Sequence, residues 1–275
     1  MSLSTVEFQK RGPVAEIRLN RPDKLNAVNA AMRDELGTAL DDAERDEEVR
    51  VIILSGNGRA FSSGFDLDMG KSEAGVSKND FIRQELIRDF DLIMRFWDCP
   101  KPTIAAVHGY CLGSSMEISA VCDITIAAEA CRFGAPEVRF GSGIVCMILP
   151  WLIGLKNAKE LLLEGSADID ARRAQAIGLV NRVVATADLM DEVRMLAGEI
   201  ALNDPLAVRL TKKAINHSLE IAGMRDALMA ALETDIEIET TETPESRAFN
   251  EILQSKGPKA ALAWRAAQLP DVKKQ

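Results

Sequence analysis

The sequence predicts an α/β domain followed by an all-helical region. Short strand-like runs alternate with amphipathic helices through the first half, and after residue 156 the pattern changes to helix after helix. At 275 residues and 47% apolar content the chain can bury a substantial core, and no internal repeat or low-complexity linker interrupts it.

Taken in order, residues 14–19 (VAEIRL) alternate apolar and polar side chains, as a half-buried strand does. In NAAMRDELGTALDDAERD (29–46), Met32, Leu36, Leu40 and Ala43 recur at helical spacing with charges opposite. RVIILS (50–55), TIAAVH (103–108) and DITIAA (123–128) read as strands, and FIRQELIRDFDLIMRFW (81–97) as a second amphipathic helix. Strand and helix in turn imply parallel pairing. Beyond residue 156, DARRAQAIG, LAVRLTKKAINHSLEI and MRDALMAALETDIEIET read as helices, with VNRVV (180–184) as the one strand candidate. The acidic EIETTETPE (237–245), at the end of a helix read over 224–243, reads as a solvated face or helix end.

Composition excludes several classes. The longest nearly apolar run, 144–155, spans 12 residues and contains Pro150, against roughly 18 to 20 for a membrane span. No secretory leader pattern opens the chain. Five cysteines without a CxxC pair suit reduced thiols in a cytoplasmic protein, and two histidines, His108 and His217, offer no zinc spacing. A net charge of -9 argues against nucleic acid and anionic membranes, so any anionic ligand must meet clustered cations. Two phosphate motifs fail on spacing. SGNGRAF has Phe61 where a dinucleotide fingerprint needs its third glycine, and GFDLDMGKS puts five residues between Gly64 and Gly70 where a P-loop takes four.

LGSSMEISAVCD (112–123) sets Glu117 among small and apolar neighbours at a helix start. Ser114 and Glu117 match S-x-x-E, a capping box that satisfies free N–H groups of the first turn. A second carboxylate, Glu137 in CRFGAPEVRF, also sits in an otherwise uncharged setting. Two carboxylates brought together in a dry site cannot both stay ionised, so one holds a proton while the other accepts one. Spacing alone does not say that they meet, and capping and acid/base chemistry both stand.

AFSSGFDL (60–67), AAVHGYCLGSSMEISAVCDITIAAE (105–129) and FGAPEVRFG (133–141) resemble, in this order, the enoyl-CoA hydratase/isomerase (crotonase) family. NRPDKLNAVN (20–29), ARRAQAIGLVNRVV (171–184) and AALAWRAAQ (260–268) extend the likeness, and the 20 positions between Glu117 and Glu137 match family hydratases. The resemblance implies a crotonase-like (ClpP/crotonase) spiral of β-β-α units over residues 1–200, with a helical trimerisation region over 201–275. It implies a homo-oligomer, trimer or dimer of trimers, and an enoyl-CoA hydratase of fatty acid metabolism that adds water syn to a 2-enoyl-CoA thioester. An enoyl-CoA delta-isomerase, or another acyl-CoA lyase or hydrolase of the family, is the alternative. No metal or separate cofactor is implied, since coenzyme A is part of the substrate.

Carried over residue by residue, the resemblance makes the backbone N–H groups of Phe65 and Ser114 an oxyanion hole. It assigns Glu117 to water activation and Glu137 to protonation of the α-carbon. CoA contacts fall to Lys24, Leu25, Ala27, Ser63, Asp66, Leu67 and Gly113. Lys24 is the first candidate cation, Arg21 and Lys71 are next, and Lys259 and Arg265 belong to the terminal helix. The chain also departs from the family. Ser114 and Ser115 replace glycines before Glu117, Phe65 stands where alanine is usual, and GSGIVCMILPWLIG follows where hydratases carry a Pro/Gly-rich PGAGGT stretch. That apolar rewrite borders the acyl pocket, with Ile144, Cys146 and Met147 as candidate lining. A serine hydrolase would need a G-x-S-x-G elbow beside His108 or His217, and RNA binding would need basic, aromatic-spaced patches; the chain has neither.

Overall fold

The apolar runs become a six-stranded sheet, and the small strands between them a second sheet. The computed structural model describes residues 3–67, 70, 75–165 and 168–268. Its strands are β1 (Val6–Arg11), β2 (Val14–Leu19), β3 (Val51–Gly56), β4 (Thr103–Val107), β5 (Tyr110–Leu112), β6 (Ile124–Ala128), β7 (Arg132–Gly134), β8 (Ile169–Asp170) and β9 (Arg182–Val184). The large sheet runs β1-β2-β3-β4-β6-β9 and the small one β5-β7-β8. From β2 onward the large sheet is parallel, as alternation predicts. β1 departs: it folds back antiparallel on β2 through Gly12, whose φ of +57° makes the turn. Beyond Val6 the strand is exposed on both faces and mostly polar, which hides it from a search for apolar runs.

The helices are α1 (Ala30–Arg45), α2 (Lys78–Asp98), α3 (Ser114–Val121), α4 (Leu149–Ile153), α5 (Leu155–Glu164), α6 (Ala171–Ala176), α7 (Leu189–Ala201), α8 (Pro205–Ile221), α9 (Met224–Thr240), α10 (Pro244–Lys256) and α11 (Pro258–Ala267). Asn29 caps α1 by accepting the Met32 amide at 3.0 Å, and the predicted stripe Met32, Leu36, Leu40, Ala43 is buried. Arg33 ties α1 to α2 through Asp89 (2.7 Å) and Glu85 (2.8 Å), all three buried. Strand periodicity splits the core. Ile52 and Leu54 face the helical cluster, while Val51 and Ile53 join Ile104, Ile126 and the Leu189, Val193 and Ala197 side chains of α7. Each such Val, Leu or Ile side chain, fully buried, contributes on the order of 2 kcal/mol.

The chain twice steps from the large sheet to the small one, β4 to β5 and β6 to β7, and α3 carries it back between them. This coil places the N-terminus of α3 beside the β7 exit. Three sequence readings are revised. β8, two residues long, adds a strand beyond residue 156. α9 stops at Thr240, and Thr243 opens α10 with a capping box to Ser246. Within the acidic run Glu237, Glu242 and Glu245 are exposed, but Glu239 is only partly so, because its side of α9 packs inward. Among the described residues no helix is long and apolar enough to cross a membrane.

Candidate active site

The site is assembled where the loop after β3 meets the start of α3. The Ser63 amide donates to the Leu25 carbonyl (3.0 Å), Val28 to Gly64 (2.9 Å), and Asp66 to Val28 (2.9 Å). These bonds lay NRPDKLNAVN along the FSSGFDL loop. Asn26, unforeseen in the sequence, holds the junction: fully buried at φ +54°, it donates to the Asn57, Ala60 and Phe61 carbonyls and accepts the Arg21 amide. Its signal was an asparagine, a residue that tolerates left-handed backbone, in a turn. Gly64 has φ +91°, and a Cβ there would lie 2.9 Å from the Leu112 carbonyl oxygen and 3.3 Å from the Ser114 nitrogen. The loop backbone therefore rests directly on the entry to α3.

The capping box does not form. Gly113, at φ +59°, is the N-cap of α3 and Ser114 is its first residue. Ser114 Oγ instead accepts the Phe65 amide across the loop at 2.8 Å, and Glu117 Oε2 accepts the Cys146 amide at 2.9 Å. With both side chains turned away, the first-turn amides keep no side-chain cap, and such groups lack helical partners. Glu137 lies over the same spot, since a Cβ on Gly113 would collide with its Oε1.

Glu117 is buried, and Glu137, partly exposed as a residue, buries its Oε2. Burial pushes Glu117 well above the ordinary carboxylate range, and the Glu137 charge adds to this while the Cys146 amide opposes it. Burial raises Glu137 to about 7, and its Oε2 is buried without a hydrogen-bond partner. Two such acids that repel each other hold a proton between them near neutrality.

Further acids surround the pair. Asp235 on α9 is 2% exposed, both its oxygens lack partners, and it is raised to about 7 by burial, then by Glu239, Glu137 and Asp89. Glu239 is raised by burial against hydrogen bonds from Ser142 and the Gly143 amide. The sequence held this signal: Asp235 continues the Leu228, Leu232, Ile236 stripe of α9, an acid on an apolar face. Among the described residues no group of three or more His, Cys, Asp or Glu side chains is arranged to hold a metal ion.

The other predicted residues divide. Leu25, Ala27, Ser63 and Asp66 lie along the paired segments, and Leu67 is 40% exposed beside them. Lys24 is exposed at the end of a 3₁₀ turn, Pro22–Lys24. Arg21 is engaged internally, bonding the Ala27 carbonyl and Asp66 (3.0 Å), because this pair clamps the two segments together. Lys259 is exposed and Arg265 half-buried on α11. Lys71 lies outside the described residues. Ile144 and Cys146 are buried in the core cluster, with Met147 packed at its margin and Cys146 Sγ 3.9 Å from Met94 Sδ. Cys146 thus meets the site through its amide. All five cysteines are unpaired and buried, and His108 bonds the Gly58 carbonyl locally at 2.9 Å.

A sequence profile described as enoyl-CoA hydratase/isomerase matches residues 9–257. A putative enoyl-CoA hydratase of Thermus thermophilus is 38% identical over 248 residues, 88% of this chain and 96% of that protein. A short-chain-enoyl-CoA hydratase of Clostridium acetobutylicum is 34% identical over 95% of this chain and 94% of its own length. The crystal structure of an enoyl-CoA hydratase/isomerase from Xanthobacter autotrophicus Py2 superposes with a TM-score of 0.93 at 47% identity, covering 98% of this chain and 100% of that one. The α/β spiral with its helical C-terminal region is the fold that the motifs implied.

Proposed function

The chain belongs to the enoyl-CoA hydratase/isomerase family, and we propose that it is an enoyl-CoA hydratase, adding water syn across the 2,3-double bond of a 2-enoyl-CoA thioester. One observation carries the reading: two desolvated carboxyls, Glu117 and Glu137, are raised in one place beside the amide-lined entry to α3. In the proposed reaction the thioester oxygen lies between the Phe65 and Ser114 amides, where the helix dipole adds to the two donors. Water sits between the carboxyls. Its oxygen bonds to C3 as Glu117 takes its proton, and the electron pair of the double bond moves through C2 onto the thioester oxygen. The enolate then collapses, and C2 takes the proton held by Glu137. A proton passing from Glu117 to Glu137 restores the starting state.

The isomerase reading needs only one carboxyl moving a proton, and the unpartnered Oε2 of Glu137 suits it. Glu117 favours hydration, since a second buried acid beside the first has no task in a one-base shuttle. The test follows conjugated thioester absorbance with crotonyl-CoA and a 3-enoyl-CoA side by side. Crotonyl-CoA is consumed faster, and Glu117→Gln and Glu137→Gln each lower its turnover by at least ~100-fold. Near wild-type rates in either folded variant would refute the assignment.

Lys24 is the proposed cation for the CoA phosphates, with no other cofactor and a cytoplasmic setting. Exposed Leu206, Leu210, Ile215 and Ile221 on α8 support a homo-oligomer, trimer or dimer of trimers, because exposed apolar faces of this kind are usually covered by a partner.

A further inference from the structure

Asp235 has a position that neither folding nor the hydration mechanism explains. A carboxyl with both oxygens buried and unpaired is costly to the folded protein, and cores do not keep one without compensation. The acids around it offer none. Glu239 and Glu137 face it from α9 and the β7 exit, and Asp89 faces it from α2, where Arg33 already pairs with Asp89 and Glu85. Its immediate wall is the segment after Glu137. A Cβ on Gly143 would collide with Asp235 Oδ1, so the glycine leaves the space that the carboxyl fills. Three residues on, the Cys146 amide of the same segment holds Glu117. Asp235 thus lies against the segment that holds Glu117 and within electrostatic reach of Glu137, its hydrogen-bonding capacity unused.

Resting on the thioester reading above, we propose that Asp235 is a specificity residue, and that the acyl group of the substrate carries a hydrogen-bond donor, most simply a hydroxyl, that pairs with it. The chemistry selects this class. A hydroxyl can donate to the ionised acid or accept from the protonated one, so it satisfies Asp235 in either state. A plain alkyl chain leaves both oxygens unpaired. A terminal carboxylate would meet Glu137, Asp235 and Glu239 together and be repelled.

The test is calorimetric binding of saturated acyl-CoA esters, which requires no turnover. Length-matched alkyl, ω-hydroxy and ω-carboxy esters from C4 to C8 are compared on the wild type, Asp235→Leu, Asp235→Asn and Gly143→Ala. Gly143→Ala keeps the acid and displaces it, and the position has no left-handed backbone to strain. At one chain length the wild type binds the hydroxy ester at least about tenfold more tightly than the alkyl ester, as expected for a hydrogen bond to a charged group. The carboxy ester binds most weakly. Asp235→Leu abolishes the preference, and Asp235→Asn and Gly143→Ala reduce it. Equal or tighter alkyl binding at every length overturns the proposal, as does a preference that survives Asp235→Leu. Crotonyl-CoA turnover reports separately on the hydratase reading. Hydration without a hydroxyl preference sinks only the role of Asp235, a preference without hydration sinks only the reaction, and failure of every ester to bind sinks both.

Discussion

Glu137→Gln is expected to stabilise the protein while disabling it, and the size of the effect follows from the burial of the carboxyl. Glu137 is raised from an ordinary value of 4.5 to about 7 in the folded state. Below about pH 4.5 the carboxyl is protonated in both folded and unfolded chains, and the site costs nothing. Between there and about 7 the unfolded chain releases its proton while the folded one keeps it, so stability falls as pH rises. Above 7 both are ionised and the penalty is constant. Each pKa unit corresponds to 1.36 kcal/mol, giving about 3 kcal/mol at the plateau. Glutamine is nearly isosteric and uncharged, so the variant escapes this penalty. Urea unfolding at fixed protein concentration, run every half unit from pH 4.5 to 8, should show the two proteins converging at the acid end. The variant should lead by up to about 3 kcal/mol at the alkaline end. A gap that is flat across this range, or that widens toward acid, would mean that the carboxyl is solvated or paired and that the dry-site argument is wrong.

Three other perturbations test separate parts of the site. Ser114→Ala frees the Phe65 amide from a hydroxyl that, in the proposed reaction, the thioester oxygen displaces. A neutral hydrogen bond is worth about 1 kcal/mol net, so substrate affinity should improve about fivefold with kcat little changed; a ~100-fold fall in kcat would instead make the hydroxyl a third oxyanion donor. Lys24→Ala should weaken CoA binding a few-fold at low salt and flatten its salt dependence, and unchanged affinity removes Lys24 from the site. Arg33→Ala strands Asp89 between α1 and α2 and leaves Glu85 only its pair with Arg88, and should cost about 3 to 5 kcal/mol in denaturant melts, the usual penalty for breaking a buried pair.

Local pattern made the large sheet from β2 onward and most helices legible. RVIILS, TIAAVH and DITIAA needed only apolar runs of strand length, and α1 and α2 only their stripes and caps. The small sheet was not legible: β5, β7 and β8 have two or three residues each and are held by partners far along the chain. In the site, glutamates in uncharged settings marked Glu117 and Glu137. The S-x-x-E reading between them failed because Gly113 turned the backbone one residue early, and a positive φ sends Ser114 to the Phe65 amide in place of its own helix. Arg21 showed a charge but not its partner, Asp66, 45 positions away.

Two oddities that look separate in the sequence belong together in space. One is the apolar GSGIVCMIL segment that follows Glu137; the other is an acid on the apolar stripe of α9. In the fold Gly143 makes room for Asp235, Ser142 and the Gly143 amide hold Glu239, and the Cys146 amide holds Glu117. A single stretch of backbone therefore sets the spacing of acids from α3 and α9. A larger residue at 143 would displace the α9 carboxyl, and a residue at 235 too short to reach the segment would remove the need for the glycine. Changes at the two positions should therefore be non-additive. In a double-mutant cycle, Gly143→Ala should cost less stability in the Asp235→Ala background than in the wild type, by more than the few tenths of a kcal/mol expected between independent sites. Strict additivity would show that the two features do not share the space between them.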